Sequence, residues 1–153
     1  MPTAKELALG ALRRTSEQFD RIMEDFPVDR WQESPKGFAN PLRGVLEHLV
    51  DVEGWWLINI GEPESGACDP GDPRSVASAN ELAEMLRAAR TALLELLDAN
   101  PDGFFNNPLP TCRYPHLTTG ADLCVYMSQH DFYHYGQVEM LKMAFTEPAS
   151  SPP

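Results

Sequence analysis

The 153-residue chain has little positive charge and no long apolar run. Its 12 lysine and arginine residues are outnumbered by 23 acidic residues, which gives a formal net charge of -11. Because no basic patch is available to neutralise phosphates, we expect no nucleic-acid partner and no attraction to an anionic membrane surface. No apolar stretch approaches the roughly 20 residues that a membrane-spanning helix needs.

Cysteine is too sparse to form a disulfide framework. The three cysteines, Cys68, Cys112 and Cys124, are odd in number, widely spaced and free of any C-x-x-C pair. This pattern is typical of reduced thiols, and none of the three is a candidate metal ligand. The N-terminus lacks a basic region followed by an apolar stretch, so no secretory signal is predicted. Together these features predict a cytoplasmic protein.

Apolar residues recur at helical spacing in four segments. No stretch of alternating apolar and polar residues is long enough to predict a β-strand. Capping-box patterns begin the first, third and fourth segments at Thr3, Ser78 and Thr119. The second begins at Pro41, which is tolerated in a first helical turn. Since the apolar positions step by 3 and 4, the sequence predicts an all-α four-helix bundle.

Stretches rich in glycine and proline at 61–77 and 101–118 predict long loops between helices 2 and 3 and between helices 3 and 4. The last residues, 148–153, predict a disordered tail. The chain is therefore expected to form one domain over residues 1–147, a length sufficient for a single core.

The fourth helix carries polar residues on its predicted interior face. That face steps alternately by 4 and 3 residues and comprises Leu123, Met127, His130, His134, Gln137, Leu141 and Ala144. His130 and His134 are about one turn apart, so both imidazoles project from the same side. Burying such groups unpaired would cost on the order of 1 to 3 kcal/mol each. We therefore expect a polar layer in a dry core, in which a bound partner pairs with the polar atoms of these side chains.

A third histidine is predicted to lie beside this pair. His48 flanks the apolar stripe of the second helix, in line with Val52 and Trp55. Three imidazoles from two helices suit a divalent transition metal. The alternative is that each histidine only bonds a backbone carbonyl. The fourth histidine, His116, lies in a proline-rich segment and is predicted to lie at the surface or a pocket rim.

Several neighbouring side chains are candidates for supporting roles. Gln137, one turn beyond His134, is predicted to orient a bound water or a substrate. Asp131 is predicted either to accept an imidazole N–H or to face outwards, and Glu53 is predicted to lie on a solvated acidic face. The candidate supporting and pocket residues are Asp51, Trp55, Asp131 and Tyr133.

Two known metalloenzyme patterns fit poorly. His130-Asp131-Phe132-Tyr133-His134 imitates the H-E-x-x-H of zinc proteases, but aspartate is shorter than glutamate and no third ligand follows at the usual spacing. Di-iron carboxylate bundles need two Glu-x-x-His motifs, which the sequence lacks. Both classes are therefore disfavoured.

The two histidine-bearing stretches, Leu46 to Trp56 and His130 to Gln137, resemble the DinB/YfiT-like superfamily of bacterial four-helix proteins. The spacing of the helices and the long loop after the second agree, so the resemblance covers nearly the whole chain. It implies that His48, His130 and His134 hold a metal ion with water in the open positions. It also implies a homodimer, for which exposed aromatic residues expected near Trp31 and Phe38 give weak support.

Characterised members of this superfamily include S-transferases that use low-molecular-weight thiols such as bacillithiol or mycothiol. The resemblance therefore implies a metal-dependent thiol S-transferase or hydrolase acting on a small molecule. Imidazole ligands suit several divalent metals alike; Zn or Ni is the expected ion, with Fe or Mn as alternatives. A non-catalytic metal-binding module, structural or stress-responsive, is the alternative function, and it predicts a coordination sphere closed by protein atoms.

Overall fold

The computed structural model describes residues 1–60, 70–108 and 117–146, and these residues form helices and connecting turns without a strand. The helices are α1 (Ala4–Glu24), α2 (Leu42–Ile60), α3 (Ala79–Ala99), α4 (Asp102–Asn106) and α5 (Gly120–Thr146). Short 3-10 turns occur at Val28–Arg30 and Pro73–Ser75. The predicted all-α architecture with four long helices is confirmed.

The second predicted loop differs from the prediction because it contains α4, a helix of five residues. Parts of both predicted loops and the predicted tail at 148–153 lie outside the described residues, as does His116. Among the described residues, no helix is long and apolar enough to cross a membrane.

The predicted caps begin three of the long helices. The Thr3 hydroxyl accepts the N–H of Glu6 at 3.1 Å, and the Glu6 carboxylate accepts the N–H of Thr3 at 2.7 Å. Ser78 caps α3 by accepting the N–H of Glu81 at 3.2 Å. Thr119 and Asp122 form the same reciprocal pair at the start of α5, at 3.1 and 3.0 Å. Each cap satisfies backbone donors that have no partner within the helix.

The long helices pack mainly in two pairs, α1 with α5 and α2 with α3. Their buried side chains form two apolar clusters, one at each end of the bundle. Between the clusters lies a layer of four buried polar side chains, one from each long helix: Thr15, Glu53, Arg90 and Asp131. We call these four residues the buried polar layer.

Arg90 is the centre of the buried polar layer. Its guanidinium donates to Glu53 through Nε at 3.0 Å and through Nη2, and Nη2 also pairs with Asp131 at 2.8 Å. Nη1 donates to the Thr15 hydroxyl at 2.9 Å, which lies 2.9 Å from the Asp131 carboxylate. Burial opposes the charge on Arg90, but the two carboxylates outweigh it and raise the pKa of the guanidinium. The layer is thus an ion-pair network in the interior.

Two predictions fail at this layer. Glu53 is 1% exposed rather than solvated, and Asp131 is 2% exposed and bonded to Arg90 and Thr15 rather than outward-facing or bonded to an imidazole. Burial raises the pKa of the Glu53 carboxyl against the attraction of Arg90, and Glu53 Oε2 accepts no hydrogen bond from the described residues. Both carboxylates are buried because each forms an ion pair with Arg90.

The orientation of α5 also differs from the prediction. Its buried face is Leu123, Cys124, Met127, Ser128, Asp131, Tyr135, Val138 and Leu141. His130, His134 and Gln137 are only partly buried, along the edge of α5 that faces α2. The expected polar layer of histidines in a dry core is therefore wrong: the dry polar layer surrounds Arg90, and the histidines are exposed or partly exposed where α5 faces α2.

The connector between α1 and α2 is less exposed than predicted. Trp31 is 7% exposed, with the Arg43 guanidinium over its ring at 5.2 Å, and Phe38 packs partly buried against the core. These aromatic residues therefore give no support for a homodimer.

Candidate metal centre

The structure brings the three predicted histidines together. The Nε2 atoms of His48 and His130 lie 3.1 Å apart, and those of His130 and His134 lie 3.2 Å apart. One nitrogen from each of the three rings falls within 4.8 Å of the others. Three nitrogen ligand atoms therefore converge on one point.

The antiparallel course of α2 and α5 produces this convergence. Trp56, late in α2, approaches Tyr126, early in α5, at a ring distance of 6.4 Å, whereas His48 lies 4.7 Å from His134 further along α5. The i, i+4 pair on α5 thus meets a single histidine on α2. His48 is exposed and the other two are partly buried, so the centre opens to solvent at one end.

The nitrogen spacing fits a metal ion. Nitrogens about 2.0 to 2.1 Å from a Zn²⁺ ion lie roughly 2.8 to 3.4 Å apart, from the shortest octahedral to the longest tetrahedral spacing. Both nitrogen–nitrogen distances at His130 fall in that interval. Burial, followed by the neighbouring His134 and His48, lowers the pKa of His130 to about 4, and burial also lowers the pKa of His134. Neutral imidazoles with converging lone pairs are the state that binds a cation.

Gln137 fixes the orientation of one ligand. Its amide oxygen lies 2.8 Å from Nδ1 of His134. An amide oxygen only accepts, so Nδ1 of His134 carries the hydrogen and Nε2 keeps its lone pair free for a metal. Gln137 thus orients a ligand ring, a role that the sequence did not predict. Its predicted role is to orient a bound water or a substrate.

Replacing Gln137 with leucine is expected to weaken metal binding by about 10- to 100-fold, because the His134 ring loses the acceptor that sets its tautomer. The measurement is a competition titration against a chromophoric chelator. Gln18→Leu, a partly buried glutamine on α1, is the matched control and should leave the affinity unchanged. Equal affinities for the two variants would contradict the assigned role of Gln137.

The remaining predicted supporting residues are divided between the centre and other places. Tyr133 lies at the rim, with its ring 5.0 Å from that of His134. Trp55 is partly buried and packs edge-on against Trp56 at 4.5 Å. Asp51 pairs with Arg74 at 2.6 Å on the surface. 

Asp131 belongs to the buried polar layer, but it still acts on the centre. Among the described residues, its hydrogen bond and ion pair go to Thr15 and Arg90 and not to a histidine. Its negative charge nevertheless raises the pKa of His134 against the larger effect of burial. A negative charge that acts on a ligand favours a cation bound to that ligand. Sequence reasoning missed Arg90, which holds this carboxylate in place.

One of three comparisons with known proteins gave a match. Searches of the curated proteins and of the solved structures gave no match. The family model described as the DinB superfamily matches residues 11–138, which include all three histidines and Gln137. Because this match covers most of its length, the chain belongs to the DinB superfamily.

Proposed function

We propose that this protein is a metal-dependent enzyme in which His48, His130 and His134 hold a divalent ion, and that it acts as a thiol S-transferase or a hydrolase on a small molecule. The observation that carries the proposal is the ligand set. Among the described residues the group contains three imidazoles and no cysteine or carboxylate ligand. A structural zinc site normally completes its tetrahedron with protein atoms, whereas a catalytic site leaves a position open.

The position of the group supports an open site. His48 is exposed, and both α5 histidines are only partly buried. A water molecule or a small substrate can therefore approach the three histidines from solvent. Tyr133, which is 65% exposed beside His134, offers an aromatic wall to such a substrate.

The chemistry follows from the charge of the ligands. When bound, a divalent metal lowers the pKa of a coordinated water to about 7 or deprotonates a coordinated thiol, and so supplies a nucleophile at neutral pH. Three neutral imidazoles leave the positive charge of such an ion undiminished. Gln137 holds the His134 ring in the ligand orientation, and the negative charge of the buried Asp131 carboxylate acts on the same ring.

The expected ion is Zn or Ni, with Fe or Mn as alternatives, and the expected co-substrate is a low-molecular-weight thiol. A thiol suits this site because a thiolate is a good ligand for a soft or borderline ion held by imidazoles. The substrate is then a small electrophile that the thiolate attacks. If water takes the place of the thiol, the same arrangement performs hydrolysis.

Cobalt substitution of protein purified without a histidine tag tests the proposal. We expect about one metal ion per chain, and we expect added thiol to produce a thiolate-to-cobalt charge-transfer band because the thiol enters an open position. His116→Ala is the matched control, since the sequence predicts this histidine at the surface or a pocket rim rather than among the ligands, and it should behave as wild type. His130→Ala should lose both the ion and the band.

The alternative function makes a different prediction. A non-catalytic module would bind one ion per chain, yet its spectrum would be unaffected by thiols or small anions because protein atoms fill every position. That spectrum, or the absence of stoichiometric metal, would overturn the catalytic proposal.

A screen of thiols against aryl halides and epoxides, with and without the metal, then identifies the substrate class.

A further inference from the structure

A cavity of about 200 Å³ lies between α1, α3 and α5. Its apolar walls are Phe19 of α1, Leu86 and Leu94 of α3 and Tyr135 of α5. No residue of α2 lines it, and none of the three histidines does. We call this space the α1–α3 cavity. It is therefore distinct from the candidate metal centre, which lies between α2 and α5.

The α1–α3 cavity is deep enough to be apolar inside and open enough to admit a ligand. Phe19, Leu86 and Tyr135 are buried, and the rings of Phe19 and Tyr135 lie 5.5 Å apart. Asp20 and Thr91 also line the cavity but are exposed, so it reaches solvent between α1 and α3. An apolar cavity of about 150 Å³ is sufficient to hold benzene. The α1–α3 cavity can therefore hold one aromatic ring with a small substituent.

The Tyr135 hydroxyl is a polar group without a partner in this cavity. Tyr135 is 4% exposed, and its hydroxyl forms no hydrogen bond with any described residue. Among the described residues, Glu53 Oε2 is the only fully enclosed side-chain oxygen or nitrogen that lacks a partner. The Tyr135 oxygen is therefore not enclosed, and the space that it reaches is the cavity that its side chain lines. Because a buried tyrosine hydroxyl usually has a hydrogen-bond partner, an acceptor on a ligand would supply the missing one.

The cations that line the cavity are already paired with carboxylates. Arg87 donates to Asp20 and to Glu84, both at 2.6 Å, and Arg90 lies between the two carboxylates of the buried polar layer. An anionic ligand would therefore find no free cation among the described lining residues, and it would approach a chain with a net charge of -11. A charged group of either sign would also lose its hydration against the apolar walls. The cavity thus favours a neutral ligand.

We propose that the α1–α3 cavity is a second small-molecule site, and that its ligand is a neutral molecule with a single aromatic ring and a carbonyl group. The ring lies against Phe19, Leu86 and Leu94, and the carbonyl oxygen accepts the hydrogen of the Tyr135 hydroxyl. Since no metal ligand lines the cavity, binding requires neither the metal ion nor the proposed enzymatic activity.

The first test uses benzamide as the probe, because it is neutral and has one ring and one carbonyl. Titration into the ¹⁵N-labelled full chain should give saturable shifts of the amide signals of Ser16, Thr91 and Leu94. The expected dissociation constant is about 1 mM or tighter, which is within the range for a ligand of this size. Benzoate, the matched anion, should bind more weakly. His134→Ala should bind benzamide as wild type does, which separates this site from the metal centre.

The second test removes the hydroxyl. Tyr135→Phe keeps the ring but loses the donor, so we expect benzamide affinity to fall by about 2- to 12-fold, the effect of one hydrogen bond. Tyr133→Phe, the same change at a tyrosine of α5 that is 65% exposed and does not line the cavity, is the matched control. It should leave the affinity unchanged.

The third test fills the cavity. Ser16 is partly buried and lines the cavity, so Ser16→Phe should abolish saturable benzamide binding. Gln18→Phe, at a partly buried position of α1 outside the lining, is the matched control and should bind as wild type does. Circular dichroism shows whether each variant keeps its helices. Tyr135→Phe removes only one oxygen, so it decides the matter if Ser16→Phe does not fold.

The proposal requires saturable binding by wild type and a selective effect of the lining variants. No saturable shifts with benzamide, shifts centred on His48 and His130, or equal affinities for Tyr135→Phe and Tyr133→Phe would overturn it. Unchanged binding by a folded Ser16→Phe would do the same.

Discussion

Replacing Arg90 with methionine is expected to lower the free energy of unfolding by about 3 to 5 kcal/mol, because it leaves two buried carboxylates without their counter-charge. Arg90 is the only cation in the buried polar layer, where it bonds Glu53, Asp131 and Thr15 at once. Neither acid reaches solvent, so each would have to take up a proton or open the bundle. Urea denaturation followed by circular dichroism measures the change.

Arg87→Met is the matched control for Arg90→Met. Arg87 lies one turn earlier on α3 and pairs with Asp20 and Glu84 at the surface, both at 2.6 Å. Surface ion pairs contribute about 0 to 1 kcal/mol, so this variant should lose little stability. Equal losses for the two variants would mean that the buried polar layer does not behave as an ion-pair network.

Removing the whole charge set should restore much of the loss. The triple variant Arg90→Met, Glu53→Leu and Asp131→Leu has no unpaired charge, and apolar replacements of buried ion pairs are often neutral or stabilising. Recovery towards the wild-type free energy of unfolding is therefore expected. A triple variant as unstable as Arg90→Met would indicate that the lost packing of the arginine, rather than the unpaired acids, causes the destabilisation.

The number and limits of the long helices could be predicted from the sequence, because apolar steps of 3 and 4 and local capping residues are features of single segments. Thr3 and Thr119 each begin a helix through bonds to residues three positions away. The convergence of the histidines could also be predicted, since His130 and His134 share one side of any helix. Such features depend on local geometry.

The rotation of α5 could not be predicted, because this helix is apolar on nearly every side. Phe132 and Met140 lie outside, whereas Tyr135 and Val138 lie inside, and the spacing of each set suits a buried face. An amphipathic pattern indicates which side is buried only when the opposite side is polar. Because α5 has an apolar side that is exposed, the sequence did not show which side is buried. The predicted interior face was therefore displaced towards the histidines.

The buried polar layer left one signal in the sequence. Arg90 lies four residues after Leu86 and three before Leu93, both on the apolar stripe of α3. A charge at such a position indicates a buried ion pair, since burying it alone is too costly. Its partners, Glu53 and Asp131, are on other helices, and their identity depends on the mutual alignment of α2, α3 and α5. That alignment is a property of the packed bundle and not of any one segment.

Replacing His134 with alanine is expected to abolish stoichiometric metal binding while the helical content stays near that of wild type. Two remaining imidazoles hold an ion weakly, and one of them, His48, is exposed and unrestrained by the core. The bundle should persist because His134 is only partly buried and belongs to neither apolar cluster. We therefore expect the free energy of unfolding of the metal-free protein to change by less than about 1 kcal/mol.

Elemental analysis after dialysis against a weak chelator, combined with circular dichroism, measures both expected effects of His134→Ala. His116→Ala removes the histidine that the sequence predicts to be no ligand, so this matched control should keep one ion per chain. If His134→Ala bound one equivalent of metal with unchanged affinity, the assignment of the three histidines as metal ligands would be wrong, whether or not the variant kept its fold. If the variant lost its helices along with its metal, the ion would be holding the bundle together, and the two apolar clusters on either side of Arg90 would be insufficient to do so.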